Sequence, residues 1–140
     1  MTRRRWFGLL AFVVWTAFIW INRLVNAWGS DSESTSGKVV STVLAVALLG
    51  FAAAGAVVLV RTWRGPLGAT AARLLQAFVV LTVAVWVVRI PLILLADHPV
   101  GFKVVHAALG VVSLALAVGV WRTAAPVAAG RDRVPLQSAH

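Results

Sequence analysis

Polar residues are confined to a few short stretches of this chain. Between them lie four apolar runs, Trp6 to Trp28, Val39 to Val60, Leu74 to Ala96 and Val104 to Trp121. Each is close to the roughly 20 residues that carry an α-helix across about 30 Å of hydrocarbon. The apolar character continues around the helix instead of forming one stripe, as an element embedded in lipid requires. Transmembrane β-strands would alternate over about 10 residues. The pattern predicts an all-α membrane protein with four transmembrane helices.

The polar stretches give the connections. Gly29 to Gly37 (GSDSESTSG) predicts a polar loop and Asp97 to Gly101 a second, while Arg61 to Arg73 (RTWRGPLGATAAR) joins the halves with a turn at Gly65-Pro66. Pro91, near the end of the third run, predicts a kink or early termination there. The expected organisation is a two-helix hairpin over 1–64, a connector over 65–73, a second hairpin over 74–122, and a disordered tail over 123–140.

The two hairpins are related. Ala11 to Arg23 (AFVVWTAFIWINR) and Ala77 to Arg89 (AFVVLTVAVWVVR) agree at seven of thirteen positions at an offset of 66, including Thr16/Thr82, Trp20/Trp86 and Arg23/Arg89. The following segments correspond at an offset of 65: Lys38-Val39-Val40 with Lys103-Val104-Val105, then Leu44/Leu109, Val46/Val111, Leu49/Leu114 and Ala52/Ala117. One residue has been lost from the intervening loop. The expected architecture is therefore a tandem duplication of a helical hairpin. Two helices separate corresponding points, so the copies share one orientation and are related by an axis along the membrane normal.

Composition agrees with a membrane location: 61% of residues are hydrophobic and 12% charged, against about 25% charged in soluble domains. Lys and Arg in short loops stay cytoplasmic. With both termini inside, Arg3, Arg4, Arg5, Arg61, Arg64, Arg73, Arg122, Arg131 and Arg133 lie on the inner side, leaving Arg23, Lys38, Arg89 and Lys103 in the outer half. The net charge of +9 thus reflects topology and lipid headgroups rather than nucleic acid. The preponderance of Arg over Lys, with abundant Ala and Val, suggests a bacterial plasma-membrane protein. Residues 3–27 imitate a signal peptide, but the run is long and Trp-rich and has a mid-chain counterpart, so a retained helix is expected. Trp6, Trp28, Trp63 and Trp121 fall at helix ends and suit interfacial belts.

Thr16, Trp20 and Arg23 follow i, i+4, i+7 spacing, as do Thr82, Trp86 and Arg89, so each trio shares one helical face. Arg23 and Arg89 lie inside their helices, about 7.5 to 10 Å from the outer ends. Together with Lys38 and Lys103 they are candidates for a basic cup that takes an anionic lipid headgroup or acidic groups of a partner subunit. The plainer reading has both arginines snorkelling to headgroups and stacking on Trp20 and Trp86. Asp97, His98 and His106 form a second group, suited to neutralising Arg89 or Lys103 or to relaying protons. His106 aligns with Ser41, so the histidines have no counterparts in the first hairpin. In the small-residue run of the second helix, Gly50 with Ala54 and Ala52 with Ala56 are candidate packing surfaces.

The absence of cysteine excludes thiol, disulfide and iron–sulfur chemistry. A proton-coupled exporter needs a buried carboxylate, and none of Asp31, Glu33, Asp97 and Asp132 falls deep in a predicted helix. Dual-topology transporters need a weak Lys/Arg bias, and here it is strong. No carboxylate cluster or nucleophile–base pair points to an enzyme, and no metal site or cofactor is expected. RRRWFGLLAFVVWTAFIWINRLVNAW and GFKVVHAALGVVSLALAVGVW resemble small integral-membrane proteins of actinobacteria, some with a Trp-rich first helix. The resemblance covers the helices, not the tail, and carries no activity with it. The expected function is a nonenzymatic accessory or structural subunit of a larger membrane complex, binding lipid and partnering other membrane subunits or itself. The alternative is a homo-oligomeric channel or transporter for a small anion or lipid. A lesser one is a redox subunit holding haem or quinone near His98 and His106.

Overall fold

The computed structural model describes residues 1–130. They form four α-helices: α1 Arg3–Gly29, α2 Thr35–Arg64, α3 Ala69–Leu95 and α4 Val100–Ala128. All four are long and apolar enough to cross a membrane. Every helix is longer than its apolar stretch, because backbone hydrogen bonding continues where hydrophobicity stops, although α3 gains only at its start and stops one residue short of Ala96. The connections accordingly shrink to residues 30–34, 65–68 and 96–99. Ser34 caps α2 by accepting a hydrogen bond from the Gly37 N–H at 3.2 Å.

Two sequence expectations are corrected. The third helix passes through Pro91 to Leu95, so of the kink or early termination expected there the termination does not occur; proline so near the terminus costs little of the ladder. The last helix does not stop at Trp121. It continues through Thr123, Ala124, Ala125 and Pro126 to Ala128, because Ala favours helix and Thr123 and Ala124 are buried against the bundle. Residues 131–140 of the expected tail lie outside the described residues.

α1 packs on α2 and α4, and α3 packs on α4 and α2, so α1 and α3 stand diagonally. Each inward stripe is read off the buried positions. On α2 these are Ala45, Leu48, Ala52, Gly55, Val58 and Leu59; on α4, Gly110, Ser113, Ala117, Val120, Thr123 and Ala124. The second set is the first displaced by 65 residues. Likewise Leu9, Phe12, Val13, Thr16, Trp20 and Ala27 of α1 are buried, as are Leu75, Phe78, Val79, Thr82, Trp86 and Ile93 of α3, displaced by 66. The principal stripe on α2 advances by alternating steps of four and three, the pattern of a helix seam packed along its whole length.

This corrects the predicted packing surface. Ala52 is buried, but Gly50 and Ala56 are exposed and Ala54 is only half-buried. A Cβ on Gly50 would meet nothing within 4 Å, whereas one on Gly55 would lie 2.9 Å from Val13 Cγ2. Gly110 is tighter still, 2.5 Å from Ile90 Cδ1 and 2.9 Å from Trp86 Cε3. Those two glycines, one in each of α2 and α4, permit the close helix approach. The outward faces carry Val14, Phe18, Ile21, Val43, Val87 and Val111, all more than half exposed, the reverse of a soluble bundle.

Tryptophans at the predicted belts divide. Trp6 donates Nε1–H to the Leu59 carbonyl at 3.0 Å and meets the Trp63 ring edge-on, while Trp28 donates to Thr42 Oγ1 at 3.0 Å. These indoles tie α1 to α2 at both ends. The apolar body with one polar tip suits an interfacial depth.

Candidate functional site

In the middle of the bundle the Phe12 and Phe78 rings meet at 4.5 Å between centroids, and Phe51 stacks on Phe78 at 5.7 Å. Towards the end that carries the 30–34 and 96–99 connections, the helices line a partly open cavity of about 780 Å³. Its walls come from α1, α3, α4 and both connections, among them Trp20, Arg23, Glu33, Trp86, Arg89, His98, Phe102 and His106. That volume lies within the range of small-molecule sites, roughly 300 to 1,000 Å³.

The two Thr-Trp-Arg stripes, each of which the spacing places on one helical face, turn their threonines and tryptophans into the bundle. Thr16 and Thr82 are each 4% exposed, and Trp20 and Trp86 each 3%. The threonines lie below the cavity, where Thr82 returns its hydroxyl hydrogen to the Phe78 carbonyl at 2.9 Å. Both tryptophans form cavity wall.

The arginines have different surroundings. Arg23 donates through Nη2 to Glu33 Oε1 and, at 2.8 Å, to Ser41 Oγ. Glu33 descends from the connection, so this ion pair ties the loop to α1 and α2. Arg23 Nε is buried without an acceptor among the described residues. Arg89 lies over the Trp20 ring, 5.7 Å from its centroid, stacking on the tryptophan of the diagonal helix rather than on Trp86 of its own. Among the described residues no carboxylate lies within 4 Å of Arg89.

His98, Phe102 and His106 are spaced by four and stack in a column along the start of α4, with centroid separations of 4.6 and 3.9 Å. His106 Nδ1 faces the Phe102 carbonyl at 2.9 Å. A carbonyl only accepts, so Nδ1 carries the hydrogen and Nε2 is free to gain one. The phenyl ring between the imidazoles keeps them from sharing one metal ion. No group of three or more metal-ligating side chains occurs among the described residues.

The remaining predicted site residues lie elsewhere. Lys103 donates to the Leu94 carbonyl at 2.9 Å and so satisfies a free carbonyl at the end of α3. Lys38 sits over the Trp28 ring at 6.0 Å. Neither lysine lines the cavity, so the four-cation cup contracts to Arg23 and Arg89. Asp97 is exposed and outside the lining. Sequence reasoning missed Glu33, Ser41 and Phe102. The available signal was the offset of 65, which sets Glu33 opposite His98 and Ser41 opposite His106.

Comparison with known proteins leaves the geometry to speak alone. No family model, curated protein or solved structure matches this chain.

The cavity is open sideways. Phe18 of α1 and Val105 of α4 belong to its lining yet are 57% and 55% exposed on the outside of the bundle. Deeper along the same seam, Trp15 Nε1–H donates to Ser113 Oγ at 3.0 Å and joins α1 to α4. The lining thus joins exposed aliphatic and aromatic side chains to the two arginines.

Proposed function

We propose that this chain is a nonenzymatic subunit of the bacterial plasma membrane that holds an anionic amphiphile of the bilayer in its outer half. It is built from two tandem hairpins with both termini cytoplasmic. The duplication reading is supported by the buried positions, since each buried residue of α1 has a buried counterpart in α3, and each of α4 one in α2. Orientation is supported by Arg3, Arg4, Arg5, Arg61, Arg64, Arg73 and Arg122, which occupy the bundle end opposite the cavity.

One observation carries the ligand class: the cavity lining combines exposed apolar side chains with two arginines. A free inorganic ion would have no use for the apolar side chains, and a neutral hydrocarbon none for the guanidinium groups. Ionisable side chains within membrane spans are costly and are kept where they meet a partner. A conduit is less well supported in a single copy, because Phe12, Phe51 and Phe78 fill the middle of the bundle. The redox reading is weaker again, with Phe102 stacked against both imidazoles.

The test is native mass spectrometry of the full chain released from mild detergent. Wild type should retain acidic lipid in preference to zwitterionic lipid, and the Arg23→Gln, Arg89→Gln double variant should lose that preference. Equal retention by both proteins would refute the reading. A protein co-purifying in stoichiometric amount would identify the larger complex.

A further inference from the structure

The two halves of the cavity are not equivalent. At the positions where the first hairpin supplies Glu33 and Ser41 to hold Arg23, the second supplies His98 and His106. Arg23 Nη2 is committed to both partners, and its buried Nε has no acceptor among the described residues. Arg89 has an aromatic face beneath it and no carboxylate beside it. A site whose first half neutralises its own cation keeps one cation for a ligand.

We infer that the anionic oxygen head of an outer-leaflet amphiphile binds at Arg89, with His98 and His106 as auxiliary donors that strengthen binding when they are protonated. Arg23 with Glu33 is the strut that shapes the opposite wall. This rests on the proposed amphiphile-binding reading. The charged groups around the site are Arg23 from α1, Glu33 from the first connection and Arg89 from α3; exposed Asp97 and the carbonyl-bound Lys103 lie outside the lining. With the histidines neutral these lining charges sum to one positive charge, which matches a monoanionic head. Each protonated imidazole adds one more. A phosphodiester keeps its charge on mild acidification, so its retention should rise as protons are added. A carboxylate head partly loses its own charge and should gain less.

The test uses the full chain in phosphatidylcholine nanodiscs doped with either phosphatidylglycerol or oleate. Bound acidic lipid is counted by native mass spectrometry at pH 8 and pH 5.5. Arg89→Gln should weaken retention about tenfold, the scale of one charge-assisted hydrogen bond, and Arg89→Lys should restore much of it. The charge-neutral pair Arg23→Gln with Glu33→Gln should cost less than about threefold, since the group it removes is spent on itself. His98→Gln with His106→Gln should abolish the gain at pH 5.5. Equal losses from the Arg89 variant and the Arg23/Glu33 pair, or an undiminished pH response without the histidines, would overturn this assignment while leaving amphiphile binding in place. Failure of wild type to prefer either acidic lipid at either pH would remove the underlying reading itself.

Discussion

Phe12 and Phe78, which correspond at an offset of 66, meet each other at 4.5 Å between ring centroids, tilted by 43°, in the centre of the bundle. When a residue contacts its own counterpart, a two-fold axis passes between them. The axis suggested by the sequence offsets would run through this pair along the bundle. Both rings are fully buried, and they connect two diagonal helices whose backbones stay apart. Replacing either by Ala should destabilise the fold by about 3 kcal/mol, at the lower end for a buried Phe, because lipid already offers an apolar surround and the cavity left behind carries the cost. The double variant should lose less than the sum, since the partners share one void. Reversible unfolding in detergent measures all three, and strictly additive losses would argue against direct contact.

Gly55 and Gly110 are the points where side chains crowd a helix backbone most closely. Their substitution by Leu should therefore force α1 from α2 and α3 from α4, with a penalty of about 1 to 3 kcal/mol from overpacking. Gly50→Leu should be close to neutral, because nothing lies within 4 Å of the added Cβ. The contrast is the informative part. Melting temperatures of the three variants should separate the two packed glycines from the lipid-facing one.

The span count was legible because hydrophobicity over about 20 residues is a strong, local signal. That Thr16, Trp20 and Arg23 share one face of α1, and their counterparts one face of α3, was legible too, since i, i+4, i+7 spacing marks one surface; that these faces turn inward was not. Nor was the packing face of α2. A run in which Ala and Gly occur at most positions offers several plausible small-residue stripes, and only the position of Val13 and Phe78 selects Gly55 over Gly50. The site was half legible for a similar reason. Arg23 and Arg89 look identical in sequence, and their difference lies in what comes down from the connections: Glu33 on one side, His98 on the other.

The Arg23–Glu33 pair has side chains 30% and 19% exposed, so water reaches it and its stabilising effect is modest. Glu33→Gln should lower stability by no more than about 1 kcal/mol. Its effect on binding should be larger and opposite in sign. Freed from its carboxylate, Arg23 becomes a second available guanidinium, and retention of acidic lipid should rise several-fold at pH 8. Ser41→Ala should leave binding nearly unchanged, because it removes an uncharged acceptor only. Native mass spectrometry of both variants against wild type distinguishes a strut from a ligand-facing pair, and a fall in retention for Glu33→Gln would show that the carboxylate itself serves the ligand.

Orientation is open to a clean chemical test because the chain contains no cysteine, so each introduced thiol reports one position. Ser32 and Asp97 are exposed residues of the two connections at the cavity end, and Gly68 is exposed in the connection at the other end. With seven described arginines at the Gly68 end, translocating that end would carry their charge across the bilayer against the usual bias. In intact cells a membrane-impermeant maleimide should therefore label Ser32→Cys and Asp97→Cys and leave Gly68→Cys untouched until the membrane is permeabilised. Labelling of Gly68→Cys alone would invert the topology and move the cavity to the inner leaflet. Labelling of Ser32→Cys without Asp97→Cys would contradict the parallel relation of the two hairpins, since that relation requires both connections to face the same side.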